Sequence, residues 1–530
     1  MSDHADPADP ADRPDRSADH SDRSADPARP ADSDDHVLLA LSSRQGRWVL
    51  VATVLGSAIA SIDATVVSVA LPTIGREFGT GLAALQWVVT AYSLALSALL
   101  LIAGGLGDKF GRKKIFLTGV VWFAIASILS AIAPSAGTLI AFRGLQGVGA
   151  ALLTPGSLAI LQATFRADDR GRAIGAWAGF SGLGTAIGPF IGGWLVSAAS
   201  WRLIFVINLP IAAIVVAVTM RHVPESRDAG ATAPIDKVGG ALVTAGLFGL
   251  TFGLIEGPEG GWSKPPVLAA LIVGIGLLCA FVVWERRTPA PMLPLSLFSS
   301  TQFTATNIIT FIVYGAIGGA LFLLPINLQN VSGYSPLKSG VSLLPATVIT
   351  LILSSRSGLL AERIGPRLQM SVGPILIGAG LALFILTRRS GNYPTEVLPG
   401  VIVFGLGLAT TVAPLTSTAL ASAPTKNADI ASAVNNDVAR AAGLIAVALL
   451  PAAGGIHGTD YRNASTLSSG FHTASLISAG LCLLAGILAA ITIRNPAPAK
   501  AAQPQVPPQR HPSHCALDAP PPPPHGANLK

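Results

Sequence analysis

The stretch GGLGDKFGRKK (residues 104–114) places five charged side chains in eleven positions, in a chain where only 12% of residues are charged. Long apolar runs flank it on both sides. A shift of 254 positions sets it beside GLLAERIGPR (358–367), aligning Gly104 with Gly358, Asp108 with Glu362, Lys109 with Arg363 and Gly111 with Gly365. The chain therefore reads as a duplication, with these two loops at equivalent points of its halves.

The rest of the sequence says what medium the halves occupy. Over 530 residues, a hydrophobic share of 51%, a mean hydropathy of +0.58 and 56 glycines exceed the composition of an ordinary soluble domain. Apolar runs of about 20 residues, the length that carries a helix through ~30 Å of hydrocarbon, recur fourteen times between 48–71 and 473–493. They are continuous and rich in Gly, Ala and Leu instead of alternating every second residue, so they read as helices and not as barrel strands. Their small residues allow close helix packing.

The expected fold is an all-α polytopic membrane protein with 14 transmembrane helices. Six spans form an N-terminal bundle (47–220) and six a C-terminal bundle (303–494). The central linker (221–302) contributes two extra helices near 238–255 and 267–284. Duplication of this kind builds many secondary transporters. Residues 1–46 read as a disordered acidic tail and 495–530 as a disordered Pro/His-rich one, neither with enough apolar surface to fold. No cleavable signal peptide is expected, because the first apolar run begins near Trp48 and is long enough to remain in the bilayer.

Charge gives the orientation. Residues 1–36 hold eleven Asp and four Arg, so with +7 overall the hydrophobic body carries +14. With an even number of spans, eighteen Lys and Arg fall in loops on one side and seven on the other. The positive-inside rule then puts both termini and the charged loops in the cytoplasm of a multi-pass plasma-membrane protein. The pair Arg388–Arg389 runs against this bias.

These clusters lie in short loops, not on one continuous face, so nucleic acid is not an expected partner. Cys279, Cys482 and Cys515 are too dispersed for a disulfide framework or a metal site. No HExxH, GxSxG or GxxxxGK[ST] is present, so no enzyme chemistry, metal or other cofactor is expected. The expected partners are a small-molecule drug substrate, protons and the lipid bilayer, with the chain acting as a monomer.

Four motifs resemble the major facilitator superfamily, specifically its fourteen-span drug:proton antiporters, over about residues 47–495. GGLGDKFGRKK is similar to the loop signature between spans two and three. The gating loop comprises Gly104, Gly107, Asp108, Gly111 and Arg112, echoed by Glu362, Arg363 and Gly365. Asp108 is placed to accept from a helix N-terminus or to pair with a neighbouring Arg, and the cations hold the loop inside. Topology anchoring alone is the simpler alternative.

SIDATVVSVALPTI (61–74) resembles the first-span signature and carries Asp63 into the membrane, at a cost of roughly 2.5–3.5 kcal/mol on insertion scales. LIAFRGLQGVGAALLTPGS (139–157) resembles the fourth-span signature, in which the residue matching Arg143 is associated with proton transfer. A guanidinium does not release its proton, so its expected role is electrostatic, tuning a nearby acid. From the apolar runs, Asp63 lies ~12 Å and Arg143 ~6 Å below the same outer face. The two are expected to meet, with Asp63 carrying the coupled proton; a structural ion pair is the alternative.

GAWAGFSGLGTAIGPFIGGWLV (175–196) resembles the fifth-span antiporter signature. Gly184, Gly188, Pro189, Gly192 and Gly193 form a small-residue stripe against which a neighbouring helix packs or pivots. In the second half, NNDVARAAG (435–443) places Asp437 and Arg440 three apart in mid-span, either neutralising each other or forming a second proton site. Candidate substrate contacts are Trp87, Tyr92, Trp177, Phe180, Asn307, Phe311 and Tyr314, an aromatic set suited to amphipathic molecules. A lipid-facing belt is the alternative for Trp87. Ser68, Pro366 and Ala441 depart from the family pattern, where Asn, a basic residue and Gln are common.

The reading that follows is proton-driven efflux of small amphipathic drugs or antibiotics across a bacterial plasma membrane by alternating access. A proton-coupled importer and a non-transporting receptor are the alternatives. The fifth-span motif favours antiport over import, and the lack of a folded domain in the tails counts against a receptor.

Overall fold

A computed structural model describes residues 38–227, 236–424 and 428–495. Most of both expected tails, Lys426 and Cys515 lie outside the described residues. Among the described residues, fourteen helices are long and apolar enough to cross a membrane. They are α1 (Arg44–Phe78), α2 (Leu82–Phe110), α3 (Arg112–Ala131), α4 (Ala136–Thr164), α5 (Ala167–Ala198), α6 (Leu203–His222) and α7 (Lys237–Gly260). After them come α8 (Pro265–Arg287), α9 (Thr301–Asn330), α10 (Pro336–Ile364), α11 (Pro366–Leu386), α12 (Tyr393–Ala421), α13 (Ala428–Ala453) and α14 (Ala464–Thr492).

Several helices outrun their apolar cores because polar caps start them early. The Asn463 side chain accepts from the N–H groups of Ser465 and Thr466, so α14 begins nine residues before the run at 473. Ser43 caps α1 by accepting from Gly46, and Ser135 with Thr138 forms a capping box at α4.

The N-terminal tail also ends sooner than 46. Leu39 exchanges backbone hydrogen bonds with Thr164 and Arg166, and the Leu41 N–H donates to Asp169. Both leucines pack against the α1–α4 core, so apolar contact and paired backbone order a segment that composition assigns to a tail.

Packing repeats the duplication. In the first half α1 packs on α4, α5 and α6, α2 on α4, and α3 on α4 and α6. In the second, α9 packs on α12, α13 and α14, α10 on α12, and α11 on α12 and α14. Every pair recurs eight helices later. Across the halves α1 meets α9, and the contact of α2 with α13 is matched by that of α10 with α5, as a two-fold relation requires. The additional pair α7–α8 packs together and rests on α2 and α13 through α7.

The two ends of the molecule differ. The end holding Arg44 and the 104–114 loop is here called the basic face. At the opposite face the halves are joined. Gln86 donates to the carbonyls of Val447 and Ala448 at 2.7 and 3.1 Å, and Gln329 to that of Val69 at 2.9 Å. The loop before α14 caps the α1–α2 turn: Arg462 donates to the carbonyls of Gly75 and Thr80, Tyr461 to Thr80, and the Leu82 N–H to Gly458.

Along α5 the contrast is visible in single residues. A Cβ added to Gly193 would collide with Pro336 and Leu337 of the second half, whereas Gly171, Gly175, Gly179 and Gly182 face open space. The cleft between the halves is therefore shut at one face and open toward the basic one.

Candidate functional site: a buried charge network beside a central cavity

Asp63 sits on α1 with no exposed surface, and every partner it has is a donor. Arg143 of α4 pairs with Oδ2 at 2.5 Å, while Gln146 and Asn208 donate to Oδ1 at 2.8 and 3.1 Å. Ser127 of α3 links them, accepting from Gln146 at 2.9 Å and from Asn208 at 3.3 Å. Four helices thus converge on one carboxylate.

Arg143 is equally enclosed. Its guanidinium also donates to Gln146 Oε1 at 2.6 Å and to the Val88 carbonyl at 3.2 Å, and lies 4.4 Å over the Tyr92 ring and 5.7 Å from that of Phe205. Ionised partners, hydrogen-bonded on all sides, are what makes a buried charge tolerable in a low-dielectric interior. The structure brings Asp63 and Arg143 together even though both helices extend past their apolar runs. Measured along the helices, Asp63 lies ~22 Å from the end of α1 and Arg143 ~10 Å from the start of α4.

The other face of α1 looks elsewhere. Ala64, Thr65 and Ser68 line a 310 Å³ cavity between the halves, together with Val89, Thr90 and Ser93 of α2. The second half contributes Tyr314 of α9 and Arg440 of α13. One helix therefore carries the buried carboxylate on one side and cavity wall on the other, with Asp63 and Thr65 two residues apart.

Of the expected substrate contacts, Tyr314 alone lines this cavity. Trp87 donates to Glu256 and packs on Phe248 and Phe252, held against the additional helix pair. Tyr92 belongs to the charge network and donates to the Ala60 carbonyl. Asn307 is buried between α9 and α13, where its Oδ1 accepts from Asn435. Trp177 donates to Ser57, tying α5 to α1, and Phe180 and Phe311 are exposed. Aromatic composition identifies side chains that like a membrane interior; it does not say which way each one faces.

Asp437 and Arg440 do not form an ion pair. Arg440 has no hydrogen bond or ion pair among the described residues, and Asp437 Oδ1 is buried without a hydrogen-bond partner. A spacing of three sets them about 60° apart around the helix axis, near enough to pair, yet here they are not clasped.

The loop signature resolves into a cap. Asp108 pairs with Arg112 at 2.8 Å, so it is not the group that receives the N-terminus of α3. Glu225, just beyond α6, does so, accepting from the Lys113 N–H at 3.1 Å. In the second half Asn495, just beyond α14, accepts from the Arg367 N–H at 3.1 Å. Gly111 and Gly365 hold φ of 110° and 83°, and a Cβ at either would strike that capping side chain. Pro366 replaces Arg112, which leaves Glu362 without the i+4 partner that Asp108 has, and Glu362 and Arg363 are exposed. Gly104 and Gly107 stand clear of close neighbours, nearest to Pro155 and Arg112.

Sequence reading missed Gln146, Asn208, Ser127, Glu225 and Asn495. Gln146 had a signal: an amide inside an apolar span, one helical turn from Arg143. Nothing in sequence ties Glu225 or Asn495 to a loop more than 100 residues earlier.

A duplicated pair of six-helix bundles around a central cavity, spanning a membrane, defines a transporter. The profile of the Major Facilitator Superfamily matches residues 53–448, and the chain belongs to that family. Multidrug resistance protein Stp of Mycobacterium tuberculosis is 37% identical over 388 residues, covering 73% of this chain and 71% of that protein. The puromycin resistance protein of Streptomyces alboniger is 34% identical over 466 residues, covering 84% and 91%. Among solved structures, a peptide transporter in complex with sulfate superposes with a TM-score of 0.60 at 16% identity, covering 84% of this chain and 95% of that one. A bacterial homologue of the human lysosomal transporter Spinster, inward-facing and unoccupied, gives 0.58 at 17%, covering 86% and 100%. At these identities the structural neighbours speak for the fold alone.

Proposed function

We propose that this chain exports small amphipathic drugs or antibiotics across a bacterial plasma membrane, exchanging them for protons by alternating access. The observation that carries the reading is Asp63: a carboxylate fully enclosed by Arg143, Gln146 and Asn208, on the helix whose other face forms the cavity wall. Relatives named for multidrug, puromycin, tetracenomycin C and methylenomycin A resistance support efflux of such compounds.

With the basic loops in the cytoplasm, the cleft faces inward and both termini are cytoplasmic. Substrate then enters from the cytoplasm and reaches the cavity beside Tyr314, Thr65 and Arg440. When the opposite face opens, a proton reaches Asp63 and cancels the charge that Arg143, Gln146 and Asn208 hold. Loss of that attraction loosens α1 from α4, and α1 transmits the change to the cavity through Thr65 and Ser68. Arg143 keeps its own charge throughout and acts as the electrostatic counterpart. The 104–114 loop and its echo close the cytoplasmic side in the alternate state, while Gly188, Gly192 and Gly193 let α5 move against α1 and α10.

The test is transport by purified protein in vesicles. An imposed pH gradient should accumulate a fluorescent drug in wild type and fail to do so in Asp63→Asn, with substrate binding retained. Driven uptake by Asp63→Asn equal to wild type would refute the assignment. A proton-coupled importer predicts the opposite sign: cells expressing the chain would hold more dye, not less.

A further inference from the structure

The additional pair α7–α8 does not pack flat on the first bundle. Between it and helices α2 and α4 lies a slot of 1280 Å³, four times the volume of the central cavity. It runs from Trp87 and Phe252 near the opposite face to Ile102 and Lys237 near the basic face. Fifteen residues of α2 cover that length, about 22 Å at 1.5 Å per residue, against ~30 Å for the hydrocarbon of a bilayer.

The sequence makes this space by omission. Ala241 and Ala245 on α7 and Ala91 and Ala95 on α2 line the gap with short side chains where long ones would fill it, while Gly240 lets α7 touch Ile102 at the basic end. Polar groups in the wall are satisfied: Trp87 donates to Glu256, and Thr244 to the Gly240 carbonyl. Lys237 is the one charged residue in the lining; it is exposed and has no hydrogen bond or ion pair among the described residues. Three of the four walls also end in cations at that face, Lys109 on α2, Lys237 on α7 and the pair Arg286–Arg287 on α8.

A volume worth about forty waters at ~30 Å³ each does not stay empty in a close-packed molecule, and an apolar wall does not hold water. In a bilayer the occupant is hydrocarbon. The basic rim selects its head: an anion is attracted, while a cationic amphiphile would meet like charge. We propose that the slot is a binding site for an anionic phospholipid, with acyl chain between α2 and α7 and phosphate on Lys237.

The site is distinct from the transport cavity, because α2 separates them. Trp87, Ala91, Leu94 and Ile102 face the slot, whereas Val89, Thr90 and Ser93 face the cavity. Bound lipid would brace α2 from behind, independently of what the cavity carries.

The full chain, purified in mild detergent, is titrated with phosphatidylglycerol or with phosphatidylcholine of identical chains and read by native mass spectrometry and thermal unfolding. One phosphate-to-lysine contact near the surface, about 1 kcal/mol, predicts about fivefold higher retention of the anionic lipid and a higher unfolding temperature with it. Lys237→Glu should abolish the preference and Lys237→Arg restore it. Ala245→Trp, which fills the slot, should lower retention of both lipids; Ala241→Leu serves the same purpose if the tryptophan variant does not fold. Equal retention of the two lipids by wild type, or a preference unchanged in Lys237→Glu, would overturn the proposal. So would a cationic dye that displaces the lipid and binds more tightly to wild type than to Lys237→Glu.

Discussion

Removing the Asp63 carboxylate leaves Arg143 as a cation with 1% of its surface exposed. Breaking a buried pair from one side costs about 3–5 kcal/mol. Arg143 keeps two acceptors, Gln146 Oε1 and the Val88 carbonyl, and the Tyr92 face at 4.4 Å. With these contacts kept, Asp63→Asn should lose about 3 kcal/mol, the low end of that range. Adding Arg143→Gln removes the stranded charge and leaves amides that hydrogen-bond one another. Replacing both members of a buried pair is commonly neutral, so the double variant should return to within about 1 kcal/mol of wild type, about 2 kcal/mol more stable than Asp63→Asn alone. Thermal unfolding in detergent measures this cycle. Everted vesicles with an acidic lumen then separate fold from function, because the double variant should be stable and still show no gradient-driven uptake. A stable double variant that accumulates drug against its gradient would refute the claim that the coupled proton resides on Asp63, leaving the network a structural tie.

Gly111→Ala and Gly365→Ala each force a Cβ into left-handed backbone and against Glu225 or Asn495; each should cost about 1–3 kcal/mol, read as a lowered unfolding temperature. Asn495→Ala, which removes the cap on α11 and the bond to the Ile364 carbonyl without straining the backbone, should cost about 1 kcal/mol by the same measure. At the shut face, Arg462→Ala deletes two bonds to the α1–α2 turn, and Gln86→Ala two to α13. Either should raise labelling of a cysteine placed at Val447 by an impermeant maleimide about tenfold, the shift that 1.4 kcal/mol produces; unchanged labelling would mean that these bonds do not hold that face closed. Arg440→Ala should lower drug affinity with Asp63-dependent proton movement retained, measured by dye binding and by vesicle alkalinisation.

The fourteen spans were legible because bilayer thickness fixes helix length and every span pays the same solvent in apolar residues. The duplication was legible because GGLGDKFGRKK and GLLAERIGPR keep their glycines and charges at constant spacing. Asp63 and Arg143 stood out as costly ions at similar depth. Depth is a one-dimensional quantity, however, and facing is not. Tyr92, Trp87 and Tyr314 are alike in sequence, yet one stacks on Arg143, one backs onto α7 and one lines the cavity.

Sequence by itself therefore determined the medium, the number of crossings, the repeat and the two ions that needed an explanation, since each follows from the cost of placing a group in hydrocarbon. Tertiary structure alone decided which amides complete the Asp63 shell, that Glu225 and Asn495 cap α3 and α11, which face of the cleft is shut, and that α7–α8 stands off to leave a slot. Those outcomes depend on how helices distant in the chain rotate about their axes and approach one another, and apolar runs that satisfy the bilayer at every rotation carry little record of it.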